Sequence, residues 1–161
     1  MKQVFKCEYC DFIGNEEDVR EHESVCPNNC TGYERVEFNH DYYTHLSDGT
    51  IYCQSEKEDG CDDRTYDVAN YYSSKKVAEN NARADVLMRQ LRRFSVEHRD
   101  NDNLNNKYYI VCLDGILQLD RHHGDIRYLG PWFDNLHAGG LAIEEFYDEL
   151  MWYFTEYKDT L

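Results

Sequence analysis

Four side chains near the N-terminus have the types and spacing of a metal centre. Cys7 and Cys10 are separated by two residues, eleven residues follow, and His22 and Cys26 are separated by three. Zn²⁺ takes four thiolate or imidazole ligands as a tetrahedron, and two close pairs on a hairpin and a helix supply them with little chain entropy to lose. His22 and Cys26, at i and i+4, share one helix face. Phe5, Phe12 and Val19 recur around these ligands at spacings that give a miniature ββα unit an inner side. So short a segment has too small a core to hold itself together, and zinc binding supplies about 10–16 kcal/mol near neutral pH. Cys30 is a substitute for His22 or Cys26 on the same reasoning. Four protein ligands leave no open position for a water, so the centre reads as structural Zn²⁺ rather than a catalytic metal.

The rest of the chain offers little else for turnover. Asp120-Arg121-His122-His123-Gly124-Asp125 loosely resembles the turn of a metal-dependent nuclease, with His40 and His45 as further conceivable ligands. Gly139-Gly140 lacks the Lys-Ser/Thr of a phosphate loop, and no serine sits in a nucleophile elbow. The expectation is a protein that is not an enzyme.

Charge then constrains the partner. The 161 residues carry 17 Lys and Arg against 32 Asp and Glu, a net charge of −15. That balance argues against a general nucleic-acid or anionic-membrane binder and favours basic surfaces. The finger's helix makes the point locally: Asn15 to Glu23 holds five carboxylates and one Arg, so a DNA duplex would repel it. Acidic residues cluster in three places. Glu16, Glu17 and Asp18 lie in the finger; Glu56, Glu58, Asp59, Asp62 and Asp63 in the stretch Ser55 to Asp63, which reads as an exposed loop; and Glu144, Glu145, Asp148 and Glu149 near the C-terminus. Such a surface can imitate a phosphate backbone and dock onto basic channels, or it can be ordinary solubility charge. No apolar run approaches the roughly 20 residues that span a bilayer. The start MKQVFKCEYC lacks the apolar segment of a signal peptide, and seven cysteines in part-metal spacing favour reduced thiols. A cytoplasmic protein is expected. Cys53 and Cys61 read as ordinary cysteines, with pairing or a second metal as the alternative.

These residues must be positioned by a chain that changes character after Pro27 to Gly32. The expectation is a finger domain over residues 1–32 and an α+β domain over 33–161. In the latter, Tyr33 to Tyr43 and Thr50 to Gln54 read as strands joined through Asp48-Gly49. Thr65 to Tyr72 is aromatic enough for a third strand. Ser73-Ser74 offers an N-cap, and Lys75 to Glu97 reads as a long helix with Val77, Ala78, Ala82, Val86, Leu91 and Phe94 at helical spacing. Its other face is basic: Lys75, Lys76, Arg83, Arg89, Arg92, Arg93 and Arg99. The order then repeats, with strands at Lys107 to Leu113, Ile116 to Asp120 and Asp125 to Leu129, and a last helix from about Gly140 to Lys158. Tyr42-Tyr43, four residues, Asp48-Gly49 recurs as Tyr108-Tyr109, four residues, Asp114-Gly115. Each copy continues to an aromatic pair, Tyr71-Tyr72 or Trp132-Phe133, and a helix. The predicted architecture is a C2HC-type finger followed by two ββ(β)α-like units (residues 33–99 and 107–161) that share one antiparallel sheet, with two long helices on one face.

The segment from Asp48 to His98, with its Asp-Gly turn, TYDVANYYSSKKVAENNARADVLMRQLRRFSVEH, and the following NNKYYIVCLDG, resembles small accessory proteins of phages and prophages of Gram-positive bacteria. An N-terminal finger on that body is similar to the zinc-containing type II-A anti-CRISPR proteins, which block the RNA-guided CRISPR nuclease by binding it. The resemblance implies that Cys7, Cys10, His22 and Cys26 hold a structural zinc inside the bacterial host cell. It also implies that the carboxylate clusters face a basic lobe or channel of a type II CRISPR effector nuclease and obstruct target-DNA loading, the inhibitor being a monomer or weak dimer. The alternative is a prophage adaptor or regulator that contacts nucleic acid through the basic helix Lys75 to Arg99. A metal-dependent nuclease using His122, His123 and Asp125 is a third reading.

Overall fold

A computed structural model describes residues 4–6, 12–19, 32–99, 107–121 and 131–157. The N-terminal unit begins as expected. Strand β1 (Phe5–Lys6) pairs antiparallel with β2 (Ile13–Gly14), and residues 16–19 are helical. Asn15 starts that turn: its Oδ1 accepts from the backbone N–H groups of Glu17 and Asp18, at 2.9 and 3.0 Å. Val19 is buried as its position requires, whereas Phe12 stays 39% exposed and does not belong to the inner side.

Two hairpins dominate the rest. Strand β3 (Asp41–His45) pairs with β4 (Ile51–Ser55), and β5 (Tyr108–Leu113) with β6 (Ile116–Arg121). The same Asp-Gly letters make two different turns. Asp114 and Gly115 both take positive φ, 52° and 77°, and join Leu113 directly to Ile116, which is the two-residue primed turn that suits the right-handed twist of strands. Asp48-Gly49 sits within a wider loop over residues 46–50. There the Asp48 carboxylate accepts from the Thr50 N–H at 2.9 Å, and Leu46 bonds to Thr50 across the loop.

Each hairpin gains a single bridge from the aromatic pair that follows it, Tyr43 with Tyr72 and Tyr108 with Phe133. After each pair a polar residue caps a helix. Ser74 accepts from the Val77 N–H and opens a long helix over Lys75–Glu97, and Asn135 accepts from the Ala138 N–H and opens another at Leu136. A hairpin, an aromatic bridge and a capped helix thus follow one another in both stretches. The expected shared sheet is not formed: the described strands form three separate antiparallel pairs, and no ladder joins one hairpin to the other.

Four further expectations need correction. The strand expected over Tyr33 to Tyr43 begins only at Asp41 and runs to His45. Thr65 to Tyr72 is not a strand, and Ser55 to Asp63 is not a loop throughout. Between them lies helix α1 (Gly60–Asp67), started by a reciprocal cap in which Asp59 accepts from the Cys61 and Asp62 N–H groups and Asp62 accepts from the Asp59 N–H. Local capping outweighs the β-forming side chains of Thr65 and Tyr66. The last helix is also not one long element. With α2 assigned to Lys75–Glu97, it divides into α3 (Leu136–Glu145) and α4 (Tyr147–Thr155) at Phe146, whose ring stands edge-on against Phe94. It starts four residues earlier than expected because Gly139 does not break it. A Cβ on Gly139 would lie 2.6 Å from Leu119 of β6, so glycine there is what lets helix and strand approach. The third strand expected at Asp125 to Leu129 lies outside the described residues.

Helix α2 rests on β3 and β4 and also on α3 and α4. Its alanines, Ala78 and Ala82, keep the approach close, and Leu87, Leu91 and Phe94 enter the core. That core is completed by Phe133, Ala138, Ala142 and Leu150, with Tyr108, Ile110 and Leu117 packed against it.

Candidate functional site

The four expected zinc ligands, Cys7, Cys10, His22 and Cys26, lie outside the described residues, as do Cys30, His122, His123 and Asp125. Among the described residues no group of three or more His, Cys, Asp or Glu side chains could hold a metal ion. Around the expected site only short pieces are described. Strand β1 ends immediately before Cys7, β2 closes the hairpin, and a capped helical turn follows. Gly14 is pressed between that turn and Phe12, since a Cβ there would meet Asp18 Cβ at 3.0 Å. Cys53 and Cys61 are exposed and free, so the proposed pairing is not formed.

The three acidic clusters have different fates. Glu16, Glu17 and Asp18 are exposed. In the middle cluster, Glu56 is fully buried and Asp62 is 4% exposed, so neither can meet a partner. Glu56 accepts two hydrogen bonds from Arg35, at 2.9 and 3.2 Å, one from the Tyr71 hydroxyl at 2.6 Å and one from the Glu58 N–H at 2.7 Å. Asp62 accepts from the Tyr42 hydroxyl at 2.7 Å and from the Lys57 N–H at 2.7 Å. The Tyr42 and Tyr71 rings stack 4.0 Å apart between the two carboxylates. Arg35 holds Glu56 below the usual carboxylate range despite its burial, and Tyr42 does the same for Asp62. Burial first, and then these carboxylates, push both tyrosine hydroxyls well above their ordinary value. Asp63 pairs with Arg35 at 2.8 Å and Asp59 caps α1, so of this cluster Glu58 alone is exposed without such a role among the described residues.

The composition does not betray this tyrosine–carboxylate cluster, because SEKEDGCDD reads as solvated charge. The one signal was Asp59 three residues before Asp62, the spacing of a capping box.

The C-terminal cluster behaves as a surface. Glu144 and Glu145 end α3, Asp148 lies in the first turn of α4, and all three are exposed with no described cation within 4.0 Å. Exposed Tyr147 stands among them. Glu149 is different: it binds Arg83 through two hydrogen bonds of 2.7 and 3.0 Å, and the same guanidinium lies 3.9 Å over the Trp152 ring.

Arg83 belongs to the basic face of α2, much of which is occupied internally. Lys75 reaches Glu79 at 3.6 Å, Arg93 reaches Glu97 at 3.7 Å, and Arg99 reaches Asp134 at 3.3 Å. Arg89 donates to the Ser47 carbonyl. His40 is exposed, whereas the His45 side chain is 9% exposed and held within the fold. No helix among the described residues is long and apolar enough to cross a membrane. Comparison of the chain with protein-family models, with curated proteins and with solved structures gives no match.

Proposed function

We propose that this chain is a non-enzymatic binding protein that docks on a basic surface of a nucleic-acid enzyme, and that the enzyme is the RNA-guided nuclease of a type II-A CRISPR system. The reading is carried by one contrast in charge. Lys75, Arg83, Arg89 and Arg93 of α2 each meet a carboxylate or a carbonyl of the same chain, while Glu144, Glu145 and Asp148 keep their charge toward solvent beside an exposed tyrosine. A helix with most of its basic side chains engaged has less to offer a phosphate backbone, and exposed unpaired carboxylates steer association with cationic partners. The choice of nuclease rests on the resemblance of the zinc-bearing N-terminus and the Asp48 to His98 segment to anti-CRISPR proteins. Cys7, Cys10, His22 and Cys26 would hold Zn²⁺ as a scaffold element with all four positions filled.

The test is co-elution with the nuclease–guide complex followed by a target-cleavage assay. The protein should stop cleavage without cutting DNA. The triple variant Glu144→Lys, Glu145→Lys, Asp148→Lys should weaken binding and flatten its salt dependence. Unchanged affinity in that variant, or a salt-dependent shift of bare oligonucleotide by the protein alone, overturns the reading in favour of the basic helix.

A further inference from the structure

Helix α4 carries apolar side chains on the face it turns to solvent. Leu150 and Trp152 are buried and hold the helix to the body. Away from them, Tyr147, Met151 and Phe154 follow one another at i, i+4 and i+7, the spacing that lines side chains up along one side of a helix. Tyr147 is 51% exposed and Phe154 40%, with half-buried Met151 between them; the Phe154 ring also stands edge-on to Tyr153 at 5.4 Å. A single exposed apolar residue is ordinary, but the outer face of a surface helix is normally polar. Three such residues in a row form a patch of the kind that contacts another molecule.

The border of the stripe is acidic. Helical rotation places exposed Asp148 along one side of it, and Glu144 and Glu145 lie exposed in the turn before Tyr147, with no described cation within 4.0 Å of any of the three. An apolar stripe with anionic flanks is complementary to an apolar stripe with cationic flanks. We propose that this face of α4 docks a basic amphipathic helix of a partner protein, with Tyr147, Met151 and Phe154 against its apolar side and Asp148, Glu144 and Glu145 toward its Lys and Arg side chains. A helix is the matching element, because ridges of side chains at i and i+4 seat between those of another helix, whereas α4 has no free backbone edge to offer an extended strand. The unbranched Met151 adapts its shape to the partner's surface. A second copy of the chain is a poor occupant, since it brings the same carboxylates and a further charge of −15 to the contact. The inference rests on the reading that Glu144, Glu145 and Asp148 meet a cationic partner, and it narrows that partner to one element.

The test uses the full chain and a labelled Leu/Lys peptide of about 18 residues, long enough to form an amphipathic helix, with decalysine as the probe of charge alone. Saturable binding of the Leu/Lys peptide is expected by fluorescence anisotropy. The double variant Tyr147→Ser, Phe154→Ser should weaken it roughly tenfold or more, because the apolar area covered by two aromatic side chains is lost. Decalysine should bind less tightly and be unmoved by that variant. If the double variant loses its near-ultraviolet circular dichroism, Tyr147→Ser alone, at the more exposed position, decides by a weakening of about threefold or more. Equal affinity for decalysine and the Leu/Lys peptide, or Leu/Lys binding unmoved by the substitutions in a folded protein, overturns the proposal. So does a concentration-dependent dimer that the double variant abolishes, which would give the face to a second copy. Peptide binding that behaves as expected while the nuclease–guide complex fails to co-elute would remove the nuclease and leave the face. Nuclease binding weakened by the triple lysine variant but not by Tyr147→Ser, Phe154→Ser would do the reverse.

Discussion

The α+β body has two interiors that are held together by different chemistry. In the first, the most buried large side chains include Tyr42, Tyr71 and Glu56, and the interior is a ladder of hydrogen bonds from Arg35 through Glu56 and Tyr71, with Tyr42 and Asp62 beside it. The other interior lies between the halves, where Leu87, Leu91 and Phe94 of α2 pack with Phe133, Ala142 and Leu150 as an apolar core. A hairpin, an aromatic bridge and a capped helix specify the outline in both halves. The interior can then be apolar, which loses stability in proportion to the volume removed, or polar, which loses it when any one partner is left unsatisfied.

The largest effect should come from the apolar core. Leu91→Ala removes a side chain that is 1% exposed and should cost about 2–5 kcal/mol, equally at pH 7 and pH 4, measured by chemical unfolding. A cost that fell with pH would show that α2 couples the two interiors and would blur the contrast.

Tyr71→Phe comes next. It keeps the ring stacked on Tyr42 and removes one hydroxyl from a charged acceptor, so about 1.5–3 kcal/mol is expected at neutral pH. Glu56→Gln should also destabilise the first half, because a neutral amide replaces the partner of Arg35. A loss below about 0.5 kcal/mol in Tyr71→Phe would mean that water takes over the hydroxyl's role.

The same cluster gives the first half an acid sensitivity that the second lacks. Glu56 and Asp62 have depressed carboxyl values in the fold. Their contribution is therefore fully present above the unfolded values near 4, and is lost as pH falls through the lower native values. Trp132 and Trp152 both lie in the second half, so tryptophan fluorescence should hold to lower pH than a tyrosine signal from Tyr42 and Tyr71. Coincident transitions would make the body a single cooperative unit and defeat the distinction.

How much of this was legible in the letters follows from range. Signals that act over a few residues were readable: the Asp-Gly turns, Ser74 as a cap, the stripe of α2, and the aromatic pairs, whose parallel role is now visible as a bridge to Tyr43 or Tyr108. What failed depended on distant partners. Glu56 and Asp62 look solvated unless one knows that Arg35 and Tyr42 reach them, and Gly139 looks like a breaker unless one knows that Leu119 needs its space. The acidic surface is thus smaller than the letters suggest by Glu56 and Asp62. The repeat was overread too, because one hairpin tip is a two-residue turn and the other a five-residue loop, and the YYxxxxDG letters conceal that difference. Tyr43 and Tyr108, which make the equivalent bridges, are the second and first tyrosines of their pairs.

That difference between turns supplies the smallest test. A Cβ on Gly115 would meet nothing within 4 Å, so Gly115→Ala isolates the backbone cost of φ +77°, about 1 kcal/mol, while Gly115→Asn should recover part of it because asparagine tolerates that conformation. Gly49→Ala has a similar backbone, φ +89°, but its Cβ would also touch Val86 at 3.4 Å. If the wider loop relaxes, Gly49→Ala should cost less than Gly115→Ala, since residues 46–50 can redistribute torsion and a two-residue turn cannot. The reverse order would mean that contact with α2 fixes the first loop as firmly as the primed geometry fixes the second.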